Sequence, residues 1–355
     1  MDDDRREFLE SLLDTASPSG YELPGQRVWV DYVSEFADEV RTDEYGNAVA
    51  VAEGDADCDV SIALAGHSDE IGFIVREVTD DGYLRISRVG GSDKTVTRGQ
   101  HVTVHSDDGP VPGVVGQTAI HLRDTAEDDV PDIAEQFVDV GAADGDAAAD
   151  LVEVGDPVTF AQRVRELEGG RLSARGIDNR VGIWAAAEGL RRAVEADAAA
   201  TVYAVSTVQE EVGLQGARMV GFDLAPDAVI AADVTHATDS PGIGGDKSTG
   251  VDLGEGPVVC RGSANHPALV AAVRDVAGET DVDIQLEATG SRTGTDADAF
   301  YTAAGGTPAL NLGLPNRYMH TPVEIIDESD LDATAELLGT VAAAAETYAP
   351  FGVDL

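Results

Sequence analysis

The chain has 355 residues, 43% of them apolar, and a formal net charge of −44. That length leaves room for about two domains and a large core, and a surface so acidic excludes nucleic acid as a partner. There is no run of about 18 apolar residues, the start MDDDRREF lacks a signal peptide's basic and apolar parts, and Cys58 and Cys260 are the only cysteines; these exclude a membrane span, a disulfide scaffold and a cysteine-rich zinc site, and lead us to expect a soluble cytoplasmic protein.

In chain order, residues 4–16 place Phe8, Leu9, Leu12 and Leu13 at helical spacing, and Ser17-Pro18-Ser19-Gly20 ends that helix with turn residues. A second helix is expected over 23–36, then strands over 40–52 and 60–66, the latter running into His67. From residue 71 to about 160 the pattern changes to short alternating pieces at 72–78, 83–86, 101–104 and 114–117. Turn signals at Asp80-Asp81-Gly82 and Asp107-Asp108-Gly109-Pro110 separate them, which predicts a small antiparallel barrel or sandwich. A helix over 179–195 is opened by Asp178. Apolar strands over 201–208 and 228–232 run into Gln209-Glu210-Glu211 and Asp233, and the run 308–314 precedes His320. A last helix over 329–348 has Ser329 placed as its N-cap, with Asp332 three residues on.

Near-continuous apolar runs of this length suit strands covered on both faces, and ligand sites of open α/β sheets lie beyond the carboxyl ends of the strands. His67, Asp178, Glu211, Asp233 and His320 are residues of metal-binding type at or just past such ends, with Glu210 as a spare carboxylate. Taken singly, each has an ordinary explanation. A lone histidine is usually a hydrogen-bonded surface or core residue, Asp178 could simply answer a helix N-terminus, and Glu210-Glu211 could be a solvated pair. Adjacent side chains point in different directions, so one of the two glutamates could bind metal while the other faces a substrate. Asp69 returns to the face of His67 on an extended chain, where it could fix the imidazole tautomer. Because candidates lie on both sides of the alternating segment, the expected fold is an α/β domain with a mixed sheet covered by helices on both faces, interrupted by an inserted small antiparallel β-barrel.

The charge fits a cytoplasm with molar salt. Acids are spread along the whole chain between apolar runs, and Lys94 and Lys247 are the only lysines. Disorder would need a lower apolar content. At about 1 M salt the screening length falls to roughly 3 Å, which suppresses the self-repulsion of such a surface.

Four stretches carry a family likeness: Gly66-His67-Ser68-Asp69-Glu70-Ile71-Gly72, Ala174-Arg175-Gly176-Ile177-Asp178-Asn179-Arg180-Val181-Gly182, Gln209-Glu210-Glu211-Val212-Gly213-Leu214-Gln215-Gly216-Ala217 and Arg317-Tyr318-Met319-His320-Thr321-Pro322-Val323-Glu324. They resemble the TET-type dinuclear metallo-aminopeptidases, a glutamyl-aminopeptidase-like family with a zinc-exopeptidase-like fold whose members are sometimes labelled endoglucanases. The likeness runs from Ser17-Pro18-Ser19-Gly20-Tyr21-Glu22 through Ala232-Asp233-Val234-Thr235-His236 to the C-terminal helix. It implies that Asp178 bridges two metal ions, with His67 and Asp233 completing one site and Glu211 and His320 the other. Glu210 would then be the general base, with Asp69 assisting catalysis. Carboxylates and imidazoles suit two divalent ions per subunit, zinc first, with cobalt or manganese as alternatives. The resemblance also implies a barrel insert over 70–163 within a catalytic domain of 1–69 and 164–355, peptides with a free N-terminus as substrates, and self-association into a tetrahedral dodecamer. Ser291-Arg292-Thr293-Gly294-Thr295-Asp296-Ala297 resembles a substrate-site loop of the family, with an arginine where glycines are usual, so Arg292, Thr295 and Asp296 are placed near the substrate.

Other features have plainer readings. Gly242-Ile243-Gly244-Gly245-Asp246-Lys247-Ser248 lacks the glycine before lysine of a phosphate loop and is read as a flexible loop. His101, His105, His121 and His266 are read as structural, His236 as lying near the site, and both cysteines as small buried residues. Three rivals are a di-zinc deacylase or amidohydrolase of N-acyl amino acids, a glycoside hydrolase with two carboxylates and no metal pair, and a metal-binding assembly protein without catalysis.

Overall fold

In the computed structural model, which describes residues 1–123, 130–280 and 282–353, the apolar runs pair into one eight-stranded mixed sheet. Its strand order is Glu39–Thr42, Ala48–Ala52, Thr201–Thr207, Ser61–His67, Ala228–His236, Ala309–Asn316, Val258–Gly262 and Gln285–Thr289. Strands Thr201–Thr207, Ser61–His67, Ala228–His236 and Ala309–Asn316 run parallel, so their carboxyl ends emerge along one edge of the sheet. Antiparallel neighbours flank this central group on both sides.

Side chains alternate across each strand, and the two faces of the sheet receive different volumes. Ile62 and Leu64 pack with helices Asp3–Asp14, Leu23–Val33, Ile177–Glu195, Pro267–Thr280 and Glu328–Ala343. Ala63 and Ala65 pack instead against the shorter helices Gln215–Asp223 and Ala297–Phe300. The sheet is therefore covered on both faces, as the unbroken apolar runs require. Gly66 sets how close the buried helix Ile177–Glu195 can come, since a Cβ there would lie 2.6 Å from the Gly182 carbonyl carbon. That approach brings the helix start beside His67.

The alternating segment forms a closed barrel rather than a sandwich. Its antiparallel strands, in order around the barrel, are Gly72–Val78, Tyr83–Val89, Phe137–Asp139, Gly109–Val115, His101–Ser106 and Pro157–Phe160. They close on a core of their own that includes Phe73, Leu84, Ile86, Val104 and Val158. Glu70, at the entrance to the insert, accepts hydrogen bonds from Arg175 Nη1 at 2.6 Å and Arg180 Nη2 at 2.9 Å on the returning chain. All three side chains are buried, so the two crossing points are fastened by ionised groups out of water. A small sheet of Arg165–Leu167, Arg171–Ala174 and Glu324–Asp327 follows, and it carries Glu324 toward the edge where the parallel strands end.

Several boundaries differ from the sequence expectations. The stretch 40–52 is a hairpin, because Asp43 accepts from the N–H groups of Tyr45 and Asn47 and Gly46 adopts φ 91° between them. The second helix stops at Val33, and Ser34 Oγ donates back to the Val30 carbonyl. The last helix begins at Glu328 with Asp327 as its N-cap, not Ser329, whose N–H and hydroxyl both donate to the Asp327 carboxylate. Asp332 consequently takes no part in capping and pairs with Arg5 and Arg192. The unit of Val258–Gly262, Pro267–Thr280 and Gln285–Thr289 was not expected at all. Among the described residues, no helix is long and apolar enough to cross a membrane. Cys260 is buried and Cys58 only half-buried.

Candidate metal centre and active site

The edge of the parallel strands gathers the candidates. His67 ends its strand in register with Thr207, and the chain beyond Thr207 turns to present Glu210 and Glu211. Asp233 lies on the next strand, Ala228–His236. His320 sits in the loop after Ala309–Asn316 with φ 63°. Asp178 and Asn179 depart from helical geometry at the start of Ile177–Glu195, and the peptide between them is cis.

The two oxygens of Asp178 face in different directions. Oδ1 lies 3.3 Å from His67 Nε2 and Oδ2 lies 3.3 Å from His320 Nε2. Asp233 Oδ1 is 3.7 Å from His67 Nε2, and Glu211 Oε1 is 3.7 Å from His320 Nε2. Two triads result, His67 with Asp178 and Asp233, and Glu211 with Asp178 and His320, each with ligand atoms within 4.8 Å of one another. Among the described residues these are the groups able to hold a metal ion in this way, and Asp178 belongs to both. Glu210 and Glu211 diverge, since Glu210 Oε2 reaches to 3.8 Å from His67 Nε2, on the side of the first triad.

Buried groups hold these side chains in place. Asp69 Oδ1 lies 3.3 Å from His67 Nδ1, and its two oxygens accept from the N–H groups of Glu210 and Glu211 at 2.9 and 3.1 Å. Ser19 Oγ donates to Asp69 Oδ2 at 2.6 Å. Glu324, quoted above only as the end of a family-like stretch and given no role there, accepts from Asp178 N at 3.2 Å through one oxygen and from His320 N at 3.0 Å through the other. Gly91, from the barrel, offers its carbonyl 3.3 Å from His320 Nδ1, and a Cβ on Gly91 would lie 2.4 Å from that same nitrogen. Any side chain at 91 would displace the imidazole.

The electrostatics of the cluster favour a cation. Burial, together with the negative charge of Asp233, pushes the Glu210 carboxyl up to about 10. Burial also raises Glu211, with Asp178 adding to the effect, and raises Asp233. Burial of the His67 imidazole would by itself lower its pKa, but Glu210, Asp233 and Asp178 outweigh this and hold it well above the usual value. Burial opposes the shift of Asp178 too, yet hydrogen bonds with His320 and His67 leave it below the usual carboxylate range. So many acids in one buried place repel one another, and Glu211 Oε1 has no hydrogen-bond partner among the described residues. Imidazole nitrogens and carboxylate oxygens on two sides of a shared aspartate suit two divalent ions, which would relieve both costs.

The site opens into a cleft of about 660 Å³. Thr295 lines it, and Arg292 lies exposed on its wall. Asp296 does not line the cleft; it is buried behind it and accepts from Thr207 Oγ1 at 2.5 Å. His236 lines the cleft, as expected for a residue near the site. Of the other histidines, His105 bonds Thr159 within the barrel, while His101 and His121 are exposed. Glu22 and Glu70 also act as supports that no local pattern marks, because the segments they hold are distant in sequence.

Known proteins give this geometry a context. Residues 46–337 match the family described as M42 glutamyl aminopeptidase. A lysyl aminopeptidase of Pyrococcus furiosus is 34% identical over 336 residues, spanning 93% of this chain and 94% of that protein. A TET aminopeptidase from a marine sediment archaeon of the Thaumarchaeota superposes with a TM-score of 0.92 at 29% identity, with 99% of each chain covered. The Pyrococcus horikoshii TET1 peptidase, described as able to assemble into a tetrahedron or a large octahedral shell, gives a TM-score of 0.84 at 31% identity over 95% of this chain and 99% of that one. Matched along most of its length by family, sequence and fold, the chain belongs to the M42 glutamyl aminopeptidase family and is an aminopeptidase, a hydrolase of peptide bonds.

Proposed function

We propose that this aminopeptidase removes the N-terminal residue of peptides at a centre of two divalent metal ions, zinc first among the candidates. The observation that carries this reading is the pair of triads meeting at Asp178, with Glu210 beside the first. His67, Asp178 and Asp233 would hold one ion, and Asp178, Glu211 and His320 the other. When bound, such a pair polarises the scissile carbonyl, acidifies water and stabilises negative charge as it develops. Glu210 takes a proton from the attacking water on its carboxylate and returns it to the leaving amine. Asp69 accepts from His67 Nδ1–H, which keeps Nε2 turned toward Asp178 and Asp233. Arg292 and Thr295, on the cleft wall, contact the departing residue, and Asp296 supports the strand end from behind.

One assay in molar KCl tests this. An aminoacyl chromogen with a free amine should be hydrolysed, with the activity lost to chelator and restored by zinc, cobalt or manganese. Its N-acetylated form and a soluble cellulose should be untouched. Cleavage of the acetylated compound would instead identify a deacylase, and chelator-resistant cellulose hydrolysis a glycosidase.

We further infer a large homo-oligomer, a tetrahedral dodecamer, working in a salty cytoplasm. The assembly described for the Pyrococcus horikoshii relative and the net charge of −44 support these two parts. Sedimentation in molar KCl should show one large species. Dialysis to about 0.05 M salt lengthens the screening distance from roughly 3 Å to above 10 Å, and the protein should then dissociate, unfold and lose activity. A large, fully active particle after prolonged low-salt dialysis would refute the salt requirement.

A further inference from the structure

The turn carrying Glu210 and Glu211 is held by an unusual set of acceptors. Four consecutive N–H groups point away from the sheet ladder, and side chains from three remote segments receive them. Val208 N donates to Asn47 Oδ1 at 2.9 Å, Gln209 N to Glu22 Oε1 at 3.1 Å, Glu210 N to Asp69 Oδ1 at 2.9 Å, and Glu211 N to Asp69 Oδ2 at 3.1 Å. Gln209 has φ 56°, a left-handed conformation that is strained for a non-glycine residue and persists where its surroundings enforce it. The enforcing groups are themselves fixed. Asn47 Nδ2 donates to Asp43 Oδ2 at 2.7 Å, which orients the amide so that its oxygen faces Val208. Glu22 is 4% exposed, and the same Oε1 accepts from Gly20 N at 2.7 Å. Gln26, one turn further along, donates to the Ser206 carbonyl and accepts from the Ser206 hydroxyl.

We propose that Glu22 is a positioning residue for peptide hydrolysis: its carboxylate oxygen clamps Gln209 in the left-handed conformation and so aims the Glu210 carboxylate at the attacking water. This rests on the role of Glu210 given above. Glu22 touches neither substrate nor the two triads, and it acts through the backbone of the turn. What it supplies is an acceptor at a fixed reach. A side chain that keeps the oxygen keeps the function, and one that withdraws it loses the function.

The test uses Glu22→Ala, Glu22→Gln and Glu22→Asp in molar KCl, with Glu210→Gln as reference, reading kcat, KM and metal content. Because a misaimed group commonly costs on the order of 10²-fold, Glu22→Ala should lower kcat by about 10–10²-fold at nearly unchanged KM and metal content. Glu22→Gln retains an oxygen at the same reach and should recover kcat to within about fivefold of wild type. Glu22→Asp keeps the charge but is too short, and should resemble Glu22→Ala; it also decides the matter if the alanine variant does not fold. Wild-type kcat in Glu22→Asp, or Glu22→Gln as impaired as Glu22→Ala, would overturn the proposal, since charge or bulk would then be what counts. A fully active Glu210→Gln would instead overturn the base assignment, whatever the Glu22 variants do.

Discussion

Glu210→Gln is expected to lower kcat by about 10²–10⁴-fold with KM and bound metal nearly unchanged. The amide is close in size to the carboxylate and can still accept a hydrogen bond, so the turn and both triads should survive the exchange. What it cannot do is carry a proton from water to the leaving amine. Glu210 is buried and lies 3.8 Å from His67 Nε2, next to the first triad yet outside both. Its surroundings of burial and like charge favour the protonated form, whereas two neighbouring cations would draw it back toward the range where a base can both take and release a proton. Steady-state kinetics together with elemental analysis of the purified variant make the measurement. A variant that keeps its metals and its rate would remove Glu210 from the mechanism.

Asp178→Ala should be more damaging still, by about 10³-fold or more in rate, because one carboxylate serves both triads. Its oxygens lie at equal distances of 3.3 Å from the two histidines, so its loss opens both sites together. Elemental analysis should find both ions depleted. His67→Ala and His320→Ala should each deplete one ion preferentially, since each belongs to a single triad. Retention of two ions by Asp178→Ala, with wild-type affinity, would show that the aspartate does not bridge.

The parts of this site visible in the sequence are those placed by strand endings. His67 and Asp233 follow or end long apolar runs, and parallel strands bring such endings to one edge whatever their separation in the chain. Asp69 was legible through the period of two, which returned it to the face of His67. Its capture of the Glu210 and Glu211 N–H groups was not, because nothing local specifies which distant backbone an acid will serve. For the same reason nothing local marks Glu22, Gly91 or Glu324 as supports. Composition hides the edge unit: Gln285–Thr289 alternates polar and apolar residues on a half-exposed strand, and Val258–Gly262 ends in exposed Arg261 and Gly262. Ser329 misled because serine is a frequent N-cap, whereas Asp327, two residues earlier, is already in the extended conformation a cap requires.

The placement of the barrel also bears on how the molecule is made. It lies in the chain between His67 and Asp178, so the first triad draws on residues from 67 to 233 and the second on residues from 178 to 320. During synthesis the first set is complete once Asp233 has emerged, and the second awaits His320. The intervening barrel adds little to the cost of bringing the ligands together, because closure entropy grows only with the logarithm of loop length. With a core of its own, the barrel is placed to fold while later strands are still being made. Metal loading would then be a late event in the life of each subunit, completed only when nearly the whole chain is present.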